Sequence, residues 1–272
     1  MVSFPCPWEE ALTGGPDNLV SVALTGTGQP RPQDGEAPGG AGRTAHVKIP
    51  LCQRGGGVYF LEKGGILCGD KLFEFYLPQD MPHVCTGCYA CFRGNEDKCG
   101  GYEYMKPILS AMEQSELLIF CAPTYVFHAP GQLKTLLDHF GYRWLIHRPD
   151  LSFMEKQAVI INTAGGGGRK TTVQDIRDSM NYWGIARTHV ISQSVWNYDW
   201  SNLPDRFRKA AYTKVDRTAV KILRYRKHLT PSMKVKWLVF LYGWLHRHNK
   251  MAEIDDRYWK EKGYTDNGGL IL

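Results

Sequence analysis

The sequence predicts a doubly wound α/β domain, a parallel sheet covered by helices on both faces, with a C-terminal helical extension. Three observations carry that expectation. Between Lys71 and Val195, strand-like apolar runs alternate with stretches of helical period. Two of the runs, ELLIFCAP and KQAVIINTA, are almost wholly apolar, as strands buried on both faces are. Beyond Leu203 the strand signals stop and only helical stripes remain.

The elements follow in order. Residues 1–69 form an irregular N-terminal segment, rich in Gly, Pro and Arg, with a first strand at LVSVAL (Leu19–Leu24). The text after it has too little apolar side chain to offset its ordering entropy. Residues 70–200 make the sheet domain. KLFEFYL (Lys71–Leu77) alternates apolar and polar residues as a half-buried strand does. YEYMKPILSAMEQS is helical, with Pro107 near the first turn, where proline is tolerated. GQLKTLLDHFGYRWL puts Leu133, Leu136, Leu137 and Phe140 on one helical face. TTVQDIRDSMNYWG is a helix with Thr171 or Thr172 as N-cap and Gly184 as its stop, and RTHVISQSV is the last strand. Residues 201–272 form the extension. Its first stripe runs through Phe207, Ala211, Val215, Ala219, Ile222 and Leu223. Pro231 breaks it, MKVKWLVFLYGWLHRHNK starts another helix, and IDDRYWKEKGY ends the chain.

Composition narrows the classes. With 272 residues, 43% hydrophobic and 22% charged, the chain is an ordinary globular protein. Its longest apolar run, WLVFLYGWL, is half of the roughly 18–20 residues that cross a bilayer. Eight cysteines without an export signal suggest reduced thiols or ligands in a cytoplasmic protein. The net charge is +6, and thirteen Lys and Arg between Leu203 and Lys250 face only Asp205 and Asp216. With no nucleic-acid signature, that reads as a solvated helical face.

Ligands of an open parallel sheet bind at the carboxyl ends of its strands. Two segments fall there, APTYVFHAPGQLK (Ala122–Lys134) and NTAGGGGRKTT (Asn162–Thr172). Consecutive glycines let the backbone approach a flat ring and offer N–H donors, and Tyr125 or Phe127 can stack on it. Ahead of them, CTGCYACFRGNEDKC sets Cys85, Cys88, Cys91 and Cys99 at spacings of two, two and seven residues. That spacing suits a metal cluster or a zinc ion, or leaves the thiols unligated in a loop. Cys121 reads as core, and Cys6, Cys52 and Cys68 lack partners at ligand spacing.

From Phe73 to about Gln193, through CTGCYACF, APTYVFHAPGQLKTLLDH, NTAGGGG and NYWG, the chain resembles the flavodoxin-like NAD(P)H-dependent FMN reductases and their iron–sulfur flavoprotein branch. The resemblance implies a flavodoxin-like fold and bound FMN. Pro123, Thr124, Tyr125, Val126 and Phe127 would border the isoalloxazine, and Thr163, Ala164, Gly165, Gly166, Gly167 and Gly168 would wrap its other side. It also implies a [4Fe–4S] cluster on Cys85, Cys88, Cys91 and Cys99. Lys134 and Asp138 belong to the same pattern, in packing or capping roles. The family's phosphate loop after the first strand has only weak counterparts here, Gly26, Gly28 and Arg31, and no amphipathic helix follows. The implied activity is hydride transfer from NAD(P)H through FMN to a quinone, nitro compound, free flavin or protein acceptor. Such transfer requires no side-chain acid or base, so no catalytic residue is assigned, and His128 and His147 read as structural. A pure electron carrier and a non-catalytic remnant are the rival readings. KVKWLVFLYGWLHRHNK reads as a membrane-surface helix or equally as a buried dimer interface. Because family members are commonly oligomers, the resemblance implies a homo-oligomer without a membrane or nucleic-acid partner.

Overall fold

A computed structural model describes residues 18–20, 71–73, 75–195 and 203–265. Strands β3 (Leu117–Pro123), β4 (Gln157–Ala164) and β5 (Arg187–Ser194) form a parallel sheet in that order. Strand β1 (Asn18–Val20) pairs in parallel with β2 (Lys71–Phe73) and lies beside β3. The resulting order β2, β1, β3, β4, β5 is the flavodoxin-like one, with its reversal between β1 and β3. The expected strand Lys71–Leu77 is shorter, and a turn at 77–80 follows it, in which the Asp80 N–H donates to the Tyr76 carbonyl at 2.8 Å. The rest of the expected first strand, and the Gly26, Gly28 and Arg31 loop, lie outside the described residues.

Helices α1 (Tyr102–Glu113), α2 (Gly131–His139) and α3 (Arg169–Tyr182) cover one face of the sheet. Strand side chains alternate, so Leu118, Phe120 and Ala122 of β3 and Ala158 and Ile160 of β4 share a core with Ile108, Leu136 and Ile176. Burial of each such Leu, Ile or Phe stabilises the fold by about 1.5–3 kcal/mol. Helix α4 (Asp205–Lys227) packs along β5 and buries Ala211, Val215, Ala219 and Ile222. Gln157, on the alternate face of β4, reaches it by donating its amide to the Ile222 carbonyl at 3.1 Å.

Two helix boundaries differ as well. Helix α3 is capped by Gly168, at φ 83°, rather than by Thr171 or Thr172. The left-handed glycine turns the loop directly into the helix, and both threonine hydroxyls donate back to its carbonyl instead. Helix α2 ends at His139, and Gly141 opens a separate 3₁₀ turn.

After α4 come α5 (Met233–Arg247) and α6 (Glu253–Glu261). Ser232 caps α5 by accepting from the Val235 N–H. One face of α5 buries Val235, Leu238 and Val239 against Leu145, Leu151 and Met154. Helix α6 packs on α5 through Trp259, which stacks on buried His246 at 4.5 Å.

Candidate cofactor site

β3 and β4 end side by side, with Pro123 opposite Thr163. The Thr124 N–H donates to the Thr163 carbonyl at 2.7 Å and carries the pairing one residue past the strand. Fully buried Asn162 clamps three strand ends. Its amide donates to the Ala122 carbonyl at 3.0 Å and to Thr124 Oγ1 at 3.1 Å, and its Oδ1 accepts from Ser192 Oγ at 3.0 Å. The sequence-predicted segments Pro123–Phe127 and Thr163–Gly168 are therefore brought together.

The first tip is a tight turn closed by reciprocal Tyr125 and His128 backbone bonds of 2.9 and 3.0 Å. Val126 and Phe127 take φ of 47° and 68°, a region that β-branched and bulky residues avoid. Holding them there costs of order 1–3 kcal/mol each, the kind of strain that clusters at ligand sites. Val126 is 93% exposed at the tip. The second tip meets the first through its last two glycines. A Cβ on Gly167 would stand 2.7 Å from Phe127 Cε1, and one on Gly168 2.5 Å from Phe127 Cα. At Gly166 nothing lies within 4 Å. Two glycines thus permit the loops to touch, and the preceding ones leave open backbone.

Beside the glycine run opens a cavity of about 710 Å³, lined by Phe127, Gly166, Arg169, Lys170, Arg177 and Ser192 among others, with no acidic side chain among the described residues of its wall. Of the three cations named there, Arg169 and Lys170 lie inside the segment Asn162–Thr172 without an assigned role, and Arg177 lies outside it. The signal was available: Arg169 and Lys170 follow the glycines directly, and Arg177 lies two helical turns on from Lys170.

A second cavity, of about 580 Å³, is lined by Cys85, Cys88, Cys91 and Cys99 together with His83, His139, Phe92, Trp144, Asp175 and Asp178. Lys134 and Asp138 border it and pair with each other along α2. Burial pushes the Cys91 thiol up, and the neighbouring Cys99, Cys85 and Cys88 push it further. The cysteines do converge on one space. Among the described residues, however, no three His, Cys, Asp or Glu side chains are placed to hold a metal ion. A cluster on Cys85, Cys88, Cys91 and Cys99 would require these thiols to close in on one another from where they stand. As placed they do not fit one, and no step below passes through it.

The cysteine loop is instead held by a buried arginine. Arg148 donates to Glu96 Oε1 and Asp255 Oδ1, both at 2.8 Å, and to the carbonyls of Cys91 and Phe92. Asp255, on α6, also binds His147 Nδ1 at 2.9 Å, and Trp259 Nε1 donates to the His147 carbonyl at 2.7 Å. His147 is therefore a structural link to the C-terminal helices. His128 sits 3.1 Å from Asp175, which also accepts from the Ala129 N–H at 3.0 Å, and so braces the first tip. Cys121 is buried in β3, whereas Cys6, Cys52 and Cys68 lie outside the described residues.

Fold order defines a flavodoxin-like domain, and the joined tips lie at the carboxyl edge of its sheet. Residues 72–200 match the family model of the NADPH-dependent FMN reductases. An azoreductase from Bacillus anthracis str. Sterne superposes with a TM-score of 0.50 at 12% identity, over 75% of this chain and 99% of that one, and shares the fold. An NAD(P)H:quinone oxidoreductase from Methanothermobacter marburgensis gives 0.49 at 12% identity, over 77% and 98% of the two chains. An FMN-dependent NADH-azoreductase from Bacillus anthracis str. Ames Ancestor, in complex with FMN, gives 0.48 at 16%, over 61% and 88%. No curated protein sequence matches the chain. That family match spans a little under half of the chain, and the solved structures share its fold.

Proposed function

We propose that the chain is an FMN-dependent NAD(P)H oxidoreductase. Its flavin ring is held at the tips Pro123–Phe127 and Thr163–Gly168, and the nicotinamide dinucleotide phosphates meet Arg169, Lys170 and Arg177. The observation that carries this reading is the joined pair of strand-end tips with a cavity lined by Arg169, Lys170 and Arg177 at its side. The residues present fit a flat, anionic cofactor: open backbone at Gly166, an exposed aromatic at Tyr125, and three cations within one wall. When bound, FMN supplies the redox chemistry, taking a hydride from reduced nicotinamide and passing two electrons to an acceptor.

The protein's part is to orient. Asn162 fixes the spacing of the strand ends, so the two tips present one edge rather than two mobile loops. The strained turn keeps Tyr125 and Phe127 from retreating into the core. Arg169 is itself steadied by the Ser192 carbonyl at 3.5 Å. The Val126 tip stands in solvent, so a small acceptor such as a quinone reaches the mouth directly.

The test is titration of the purified chain with FMN, followed by steady-state oxidation of NADPH and NADH with a quinone acceptor. Saturable flavin quenching and turnover are expected. Lys170→Met with Arg177→Met should raise KM, more for NADPH with its additional phosphate than for NADH, and leave FMN binding intact. A chain that binds FMN but oxidises neither nucleotide is an electron carrier. A chain that binds no FMN is a non-catalytic remnant. Either result removes the proposal.

A further inference from the structure

Helix α5 is apolar on two opposite sides. Val235, Leu238 and Val239 are buried against the protein. Met233, Trp237, Phe240 and Trp244 lie on the other side, 79%, 59%, 50% and 41% exposed. Their spacing of four, three and four residues makes one stripe, about 16 Å long at 1.5 Å per residue. Scattered exposed apolar residues are ordinary, but four large ones in line on a helix mark a contact surface.

Charge selects the occupant. From Met233 to Arg247 the helix carries no acidic residue, and Lys234, Lys236 and Arg247 flank the stripe. Lys250, just beyond, holds its ammonium 4.7 Å over the Trp244 ring. Asp178, 3.9 Å from Lys234, is the acidic neighbour at the helix start. Glu253, near the other end, is paired with Arg257 at 2.8 Å. A second copy docked about a two-fold axis would set this basic group against itself. An anionic bilayer offers the opposite charge together with an apolar layer at the depth where Trp rings settle. Among the described residues no helix is long and apolar enough to cross a membrane, so such a contact lies along the surface.

We propose that α5 is a lipid-docking helix, seating Trp237, Phe240 and Trp244 among the headgroups of an anionic bilayer while its lysines meet the lipid phosphates. The stripe is remote in sequence from the strand-end tips, and its occupancy requires no flavin.

The full chain is floated through a density gradient with vesicles of phosphatidylcholine and phosphatidylglycerol, and with phosphatidylcholine alone. It should rise with the anionic vesicles, far less with the neutral ones, and less again at high salt. Trp237→Ser with Trp244→Ser should lower partitioning about tenfold or more. Lys234→Glu with Lys236→Glu should remove the salt-sensitive part with the aromatic stripe intact. Thermal melting checks the fold of each variant, and if the tryptophan pair unfolds, the lysine pair decides. The proposal is overturned if the parent chain stays at the bottom with anionic vesicles, or if both variants float as it does. Sedimentation showing a stable dimer that the tryptophan substitutions dissociate would assign the stripe to a second copy instead, and overturns it equally.

Discussion

Helix α3 divides two cavities of different chemistry. Lys170, Val173, Gln174 and Arg177, three and four residues apart, face the cationic cavity, and Asp175, Asp178 and Ser179 face the thiol-lined one. The first cavity is built from one strand-end loop, the first turns of the helix after it, the neighbouring turn, and Val190 and Ser192 of the adjacent strand β5. The second draws its wall from the cysteine loop, α2, α3 and the 141–147 segment. It is braced through Arg148 by Asp255, 107 residues away. A site at adjoining strand ends is encoded by nearby sequence, while the thiol cavity depends on the C-terminal helices being docked.

That contrast can be broken most sharply at Arg148. Arg148→Met takes the guanidinium from buried Asp255, which keeps His147, and should cost about 3–5 kcal/mol, as removal of one member of a buried ion pair does. Urea unfolding reads the loss. Faster labelling of Cys91 and Cys99 by a thiol reagent, with FMN binding less affected, would show that only the second cavity relies on the brace.

The first cavity is tested at its glycines. Gly168→Ala meets the Phe127 backbone and a left-handed φ together, and should cost about 1–3 kcal/mol and weaken FMN binding. Gly166→Ala enters open space and should leave stability unchanged. Equal effects of the two would mean that the tips are not packed as described.

A smaller effect concerns the docking of α4. His189 Nε2 donates to Gln157 Oε1 at 2.9 Å, and Gln157 in turn holds the α4 backbone. Burial, and after it the charges of Lys221 and Arg187, lower the His189 pKa to about 4. Between pH 6.5 and about 4 the unfolded chain binds a proton that the folded one refuses. The contribution is whole above pH 6.5 and is lost as pH falls toward 4. His189→Gln should flatten that part of the urea midpoint against pH, and an unchanged slope would remove His189 as its source.

The smallest change is expected at Lys134, paired in an exposed i, i+4 bridge with Asp138. Lys134→Ala should shift stability by at most about 0.5 kcal/mol, despite the residue's place in the family pattern. A larger loss would give the pair a role in the thiol cavity wall.

Much of the molecule was legible before its structure. The buried strands, the three covering helices and the two strand-end tips came from period and turn chemistry, because those signals act within a few residues. The Gly168 cap was not legible, since Thr171 and Thr172 are ordinary cap residues and only the contact with Phe127 singles out the glycine. The cysteine spacing leaves a cluster, a zinc ion or unligated thiols open, and the structure gathers the thiols around one cavity.

By itself, then, the sequence determined which segments are strand or helix and which loops face the ligand edge, through local propensity and alternation of apolar side chains. Tertiary packing alone decided that Arg169, Lys170 and Arg177 share a wall, that Arg148 is fastened by a helix near the end of the chain, and that the Trp237 stripe stays uncovered. Those outcomes depend on which faces meet when distant elements dock, and residue spacing along the chain carries no record of that.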